Sequence, residues 1–95
     1  MLHTLSRSPY QIDLDAMLRN VGSEDAVLLF QDGVSGALAN AAMLRPILAV
    51  GVPVYALKED VMARGMVAQI SSKVVLIGYN DFVKLTAQHS GQMAW

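Results

Sequence analysis

Val52-Pro53-Val54-Tyr55-Ala56-Leu57-Lys58-Glu59-Asp60-Val61-Met62-Ala63-Arg64-Gly65 decides the fold. Val52 to Leu57 reads as a buried strand that runs straight into a helix closed by Gly65. In an open parallel α/β sheet, ligands and chemistry gather at the carboxyl ends of strands, where helix N-termini point free N–H groups. Leu57, Lys58, Glu59 and Asp60 stand there. None is an obvious nucleophile, and the two acids occupy the helix N-terminus themselves. The position of an active group is present and the chemistry is missing from it.

Upstream, Ala26-Val27-Leu28-Leu29-Phe30 is a continuous apolar run, the pattern of a strand buried on both faces. It ends in Gln31-Asp32-Gly33-Val34-Ser35-Gly36, a second loop at a strand's carboxyl end. No Gly-Lys-Ser/Thr follows, so this is not a P-loop. Gly33-Val34-Ser35-Gly36 is not a Gly-x-Ser-x-Gly elbow either. Asp32 suits a turn or helix cap, with a partner- or ligand-facing role as the alternative. Ala37 to Val50 is apolar nearly all round and rich in alanine and leucine, which predicts helix. Pro46 should kink it or start a new turn, pushing Arg45 toward extended geometry. A helix apolar on all sides is not the solvent-facing cover of a small domain. Either it packs tightly on the sheet through small residues, or another subunit covers its outer face. On the second view Ala37, Leu38, Ala41, Ala42, Leu44 and Leu48 are candidate partner contacts.

The flanks complete the alternation. Met1 to Leu5 is a short strand, with Leu2 and Thr4 on one face and His3 and Leu5 on the other. His3 reads as a hydrogen-bonded structural residue before it reads as a ligand or proton carrier, since no second ligand is near. Tyr10 to Val21 has helical apolar spacing, ended by Gly22. Asp13 and Asp15 sit two apart and so are not paired catalytic acids. Ser23-Glu24-Asp25 is a turn. After Gly65, Met66 to Ile70 is a short turn and Val74 to Ile77 a buried strand. Asn80 is the expected N-cap of a helix over 81–89, with His89 capping its far end. The tail closes Gln92-Met93-Ala94-Trp95. An indole is costly to leave in water, so Trp95 should dock on the sheet's edge or on a partner.

The order β-α-β-α-β-α-β-α, with a possible terminal strand, implies a three-layer α/β domain spanning residues 1–95. Its mostly parallel sheet has four to five strands, with helices on both faces, flavodoxin-like in architecture. Composition adds a constraint. The 95 residues are 54% hydrophobic and 16% charged, against about 45–50% and about 25% in ordinary domains. Surface covered by other subunits is the natural outlet for that excess. Net charge is −1 with no run of like sign, which argues against direct nucleic-acid binding. There is no cysteine, which excludes a thiol relay or thiolate metal site carried by this chain. The start lacks a basic n-region and no apolar run reaches membrane-spanning length, so an intracellular, cytoplasmic protein without cofactor or metal is expected.

Several pieces, in order, resemble one family: Met1-Leu2-His3-Thr4-Leu5 with Arg7-Ser8-Pro9; Gln31-Asp32-Gly33-Val34; Val54-Tyr55-Ala56-Leu57 with Glu59-Asp60 and Ala63-Arg64-Gly65; Asp81-Phe82-Val83; and Gln92-Met93-Ala94-Trp95. The chain is similar to the DsrH-like branch of the DsrE/DsrF/DsrH family, the branch of the B subunit of the bacterial tRNA 2-thiouridine sulfur relay. The resemblance implies a heterohexamer, a dimer of heterotrimers built with two homologous subunits. It also implies a persulfide-accepting cysteine on a sister subunit, at a position that falls here at Leu57 and Lys58. This chain is then a non-catalytic subunit supporting thiolation of the wobble uridine. A stand-alone small-molecule-binding module and a self-assembling homo-oligomer remain the alternatives.

Overall fold

The computed structural model describes the backbone of residues 1–95 and every side chain except that of Pro9. Four apolar segments form strands β1 (Leu2–Leu5), β2 (Ala26–Leu29), β3 (Val54–Leu57) and β4 (Val75–Ile77), and the tail adds β5 (Gln92–Ala94). All pair in parallel, in the order β4-β3-β2-β1-β5. The helices are α1 (Leu14–Asn20), α2 (Leu44–Ala49), α3 (Lys58–Ala63) and α4 (Tyr79–Gln88), with 3₁₀ segments at Pro9–Gln11, Gln31–Ala37 and Val67–Gln69.

Register and handedness explain the layers. From β1 to β4 each step moves the same way across the sheet, so right-handed crossovers place every connection on one face. The step from β4 to β5 reverses across the whole sheet, so its helix belongs on the opposite face. The core divides accordingly. Leu5, Val27, Leu29, Val54 and Ala56 face Met17 of α1, Val34, Ile47 of α2 and Val61 of α3. Leu2, Ala26, Leu28 and Ile77 face Leu85 of α4, with Tyr55 and Phe82 packed at the side. Each fully buried leucine or valine is worth about 1.5–3 kcal/mol of transfer free energy, so the central strands β1 and β2, buried at every position, anchor the domain.

Several boundaries differ from the expectations. The first helix begins at Leu14, not Tyr10, because Asp13 caps it by accepting the Ala16 N–H at 3.1 Å. Residues 31–50 are not a loop followed by one long kinked helix. Gln31–Ala37 is a 3₁₀ helix, Leu38 bridges to Ile70, and α2 starts only at Leu44. Pro46 therefore lies in the first turn of α2, where its missing N–H has no intrahelical acceptor to lose. It neither kinks the helix nor holds Arg45 extended. The opening strand is shorter than Val52–Leu57. Val75 is 53% exposed, so β4 is an edge strand and not a buried one. Asn80 is not the cap of α4: the helix starts at Tyr79 from Gly78, which offers no capping side chain. The tail docks on this chain's own sheet, against β1.

Among the glycines, Gly33 leaves the least room for a side chain. A Cβ there would sit 2.0 Å from the Leu5 carbonyl oxygen, the same oxygen that accepts the Phe30 N–H at 3.0 Å. Gly51 differs: its φ of +87° disfavours a side chain, yet the space around it is open. Gly33→Ala is expected to lower stability by about 2–3 kcal/mol through overpacking against backbone. Gly51→Ala should lose about 1 kcal/mol through conformation alone. Urea unfolding midpoints measure both, and equal effects would contradict the steric reading.

Candidate functional site

The carboxyl ends of β1, β2 and β3 meet the 3₁₀ helix 31–37 and the start of α3, as expected for a parallel sheet. Leu57 is the N-cap residue of α3 and offers no capping oxygen. Its register opposite Ile77 puts it on the α4 side of the sheet, half-buried. Lys58 opens the helix and is exposed. The acids beside them are engaged in structure. Asp60 Oδ2 accepts the Gln31 N–H at 2.7 Å, and Glu59 Oε1 accepts the Tyr79 N–H at 3.0 Å. One short helix thus caps the starts of two neighbouring segments. The first capture holds Gln31 at φ 50°, a left-handed backbone that non-glycine residues rarely adopt. Arg64 completes the set: Nη2 donates to Asp32 Oδ1 at 2.8 Å and Nη1 to the Asp60 carbonyl at 3.2 Å. Asp32 therefore pairs with a cation, and Ser35 Oγ donates to its carbonyl.

A second polar cluster ties the chain's two ends together. His3, fully buried, bonds Asp25 Oδ2 through Nε2 at 2.9 Å, and Trp95 Nε1 donates to His3 Nδ1 at 3.1 Å. An indole N–H only donates, so Nδ1 accepts and the proton of the imidazole lies on Nε2. His3 is thus the hydrogen-bonded structural residue its context suggested. Asp25 also accepts from the Met1 ammonium and from the Gly22 N–H, each at 2.8 Å. The ammonium, then the Gly22 amide and His3, hold the Asp25 carboxyl well below the usual carboxylate range. The local sequence showed only a turn at Asp25, since two of its three partners, Met1 and His3, lie at the chain's start.

Of the candidate partner contacts, Ala37 and Leu44 are buried in this chain's own core, and Leu38 is half-buried. Trp95 packs on the same core and donates its backbone N–H to the Thr4 carbonyl. Ala41, Ala42 and Leu48 remain together, lining an open groove beside α2. His89 occupies the C-cap position of α4. Among the described residues no three His, Asp or Glu side chains are grouped to hold a metal ion, and no helix is long and apolar enough to cross a membrane.

Two outcomes follow. Asp60→Ala orphans the Gln31 amide and should lower stability by about 1–2 kcal/mol. Asp32→Ala, whose side chain is 74% exposed, should change it by less than about 0.5 kcal/mol; denaturant titration separates them. Asp25, depressed in the folded state, adds stability that is present above its ordinary pKa of 3.8 and is lost as the pH falls below it. Wild type should therefore lose more stability than Asp25→Asn between about pH 5 and about pH 3, measured as the shift in urea midpoint. Parallel pH profiles would count against the network.

Comparison with known proteins gives this scaffold its place. Among solved structures, the E. coli YchN protein superposes with a TM-score of 0.78 at 16% identity, covering 99% of this chain and 97% of that one. Thermotoga maritima Tm0979 gives 0.68 at 29% identity, covering 94% of each. Proteins called TusB are similar throughout: that of Pectobacterium carotovorum is 56% identical and that of Escherichia coli O157:H7 50%, both over 100% of each chain. The family profile described as DsrH like protein matches residues 7–92. With that match running from just after β1 into β5, and half or more of its positions shared end to end with these proteins, the chain belongs to the DsrH-like family.

Proposed function

We propose that this chain is a non-catalytic structural subunit of a hetero-oligomeric sulfur-relay complex that supports 2-thiolation of the tRNA wobble uridine. The observation carrying this reading is the end of β3. The strand runs straight into α3 with Leu57 and Lys58 at the junction and the sequence holds no cysteine; on this reading the architecture suited to an acceptor thiol is kept and these two residues stand in the thiol's place. Glu59 and Asp60 cap neighbouring backbone at the same place, and their negative charge disfavours a thiolate beside them. Family membership and full-length similarity to TusB proteins support the relay assignment.

On this reading two homologous sister subunits complete the assembly, one of them carries the persulfide, and the complex is a dimer of heterotrimers working in the cytoplasm. This subunit adds no cofactor and makes no direct contact with nucleic acid. The outward face at Ala41, Ala42 and Leu48 is where a sister packs, consistent with a composition too apolar for one small core.

Co-expression with both sister subunits, followed by affinity capture and mass measurement, tests the proposal. The expected result is a stable complex containing all three chains in equal number. Recovery of this chain as a stable monomer that neither sister retains would sink it.

A further inference from the structure

The groove beside α2 has a volume of about 830 Å³. Its apolar floor is Ala41, Ala42 and the half-buried Leu48, and its rim carries the exposed Arg45 and Lys73. Its walls are fixed to one another by backbone bonds. The Ala39 N–H donates to the Gln69 carbonyl at 2.8 Å and the Ser71 N–H to the Ala37 carbonyl at 2.9 Å, around the Leu38–Ile70 bridge. The groove is therefore formed in the isolated chain. Among the described residues, Arg45 and Lys73 have no carboxylate within salt-bridge distance, and no acid lines the groove. This contrasts with Arg64 at the sheet's carboxyl edge, which is held between Asp32 and Asp60.

Resting on the subunit reading above, we infer that this groove receives an amphipathic helix of a sister subunit, seated on the alanine and leucine floor and carrying carboxylates to Arg45 and Lys73. Three observations lead there. Alanine at four of the ten lining positions leaves a helix backbone room to approach, with the half-buried Leu48 as the apolar contact. Ala42, Ala49, Arg45 and Lys73 are all exposed, whereas a small-molecule site encloses most of its ligand. This chain also offers no purely acidic helix of its own to fill the groove of a second copy. On α1, Asp15 is followed four residues on by Arg19. On α4, Asp81 is followed three on by Lys84. The acids of α3 are already bonded within the fold. The complementary partner is thus a different chain.

The test reverses the rim. Arg45→Glu/Lys73→Glu alters two exposed positions, and circular dichroism confirms that the fold is kept. In binding measurements against the co-purified sister subunits, this variant should lose about tenfold or more in affinity, the scale of close charge pairs across interfaces. Arg45→Lys/Lys73→Arg should bind within a few-fold of wild type, and Lys84→Glu on the opposite face should bind unchanged. Wild-type affinity should fall as salt rises. If the reversed variant assembles as tightly as wild type, the groove is not the contact, although the subunit reading survives. If wild type itself fails to assemble, that reading fails and the inference with it. If isolated wild type sediments as a dimer and the reversed variant as a monomer, the occupant is a second copy and the inference is overturned.

Discussion

The carboxylates of Glu59 and Asp60 reach in different directions from one turn of α3, and each meets the free amide at the start of another segment. Backbone N–H groups at helix starts have no partner within their own helix. Asp60 satisfies Gln31, which begins the 3₁₀ helix after β2, and Glu59 satisfies Tyr79, which begins α4 after β4. Segments separated by 29 and 20 residues in sequence are thereby fixed to the end of one strand. The local shape of the sheet's carboxyl edge depends on these bonds: the left-handed Gln31, the approach of Gly33 to the Leu5 carbonyl and the entry angle of α4. A reactive group in this place would have to coexist with both.

The opposite end of the sheet is closed by a different device. β5 is three residues long and half-exposed, too little to hold an edge by burial alone. The indole of Trp95 supplies the rest, packing on the core and bonding His3, which in turn bonds Asp25. Burial of an imidazole is tolerable because both ring nitrogens are satisfied. Chain start, the turn before β2 and chain end thus converge on Asp25, so the sheet has a polar lock at each end and an apolar core between.

Much of the architecture was legible without coordinates. The apolar runs at Ala26–Phe30 and Val52–Leu57 read as strands covered on both faces; β2 is buried at every position, while Tyr55 and Leu57 of β3 are half-buried. The alternation of these runs with Met17-, Ile47- and Leu85-bearing segments implied parallel pairing and right-handed crossovers. Boundaries were less legible. Asp13 read as a residue inside a helix starting at Tyr10, because apolar periodicity does not mark where a capping residue ends and the helix begins. Alanine-rich 37–50 carried helix propensity, yet tertiary pairing of Leu38 with Ile70 interrupted it. Val75 looked buried because its neighbours are apolar, whereas edge position depends on strand order.

By itself, the sequence determined the class of the fold, the place where a parallel sheet puts its chemistry and the absence of a thiol there, because these depend on residue type and local period. What Glu59, Asp60, Asp32 and Arg64 do, which alanines face outward, and that Trp95 closes on His3 emerge only once the chain is folded. The reason is physical. A carboxylate or indole is satisfied by whatever group the chain brings within about 3 Å, and for these side chains that group is mostly twenty or more residues away.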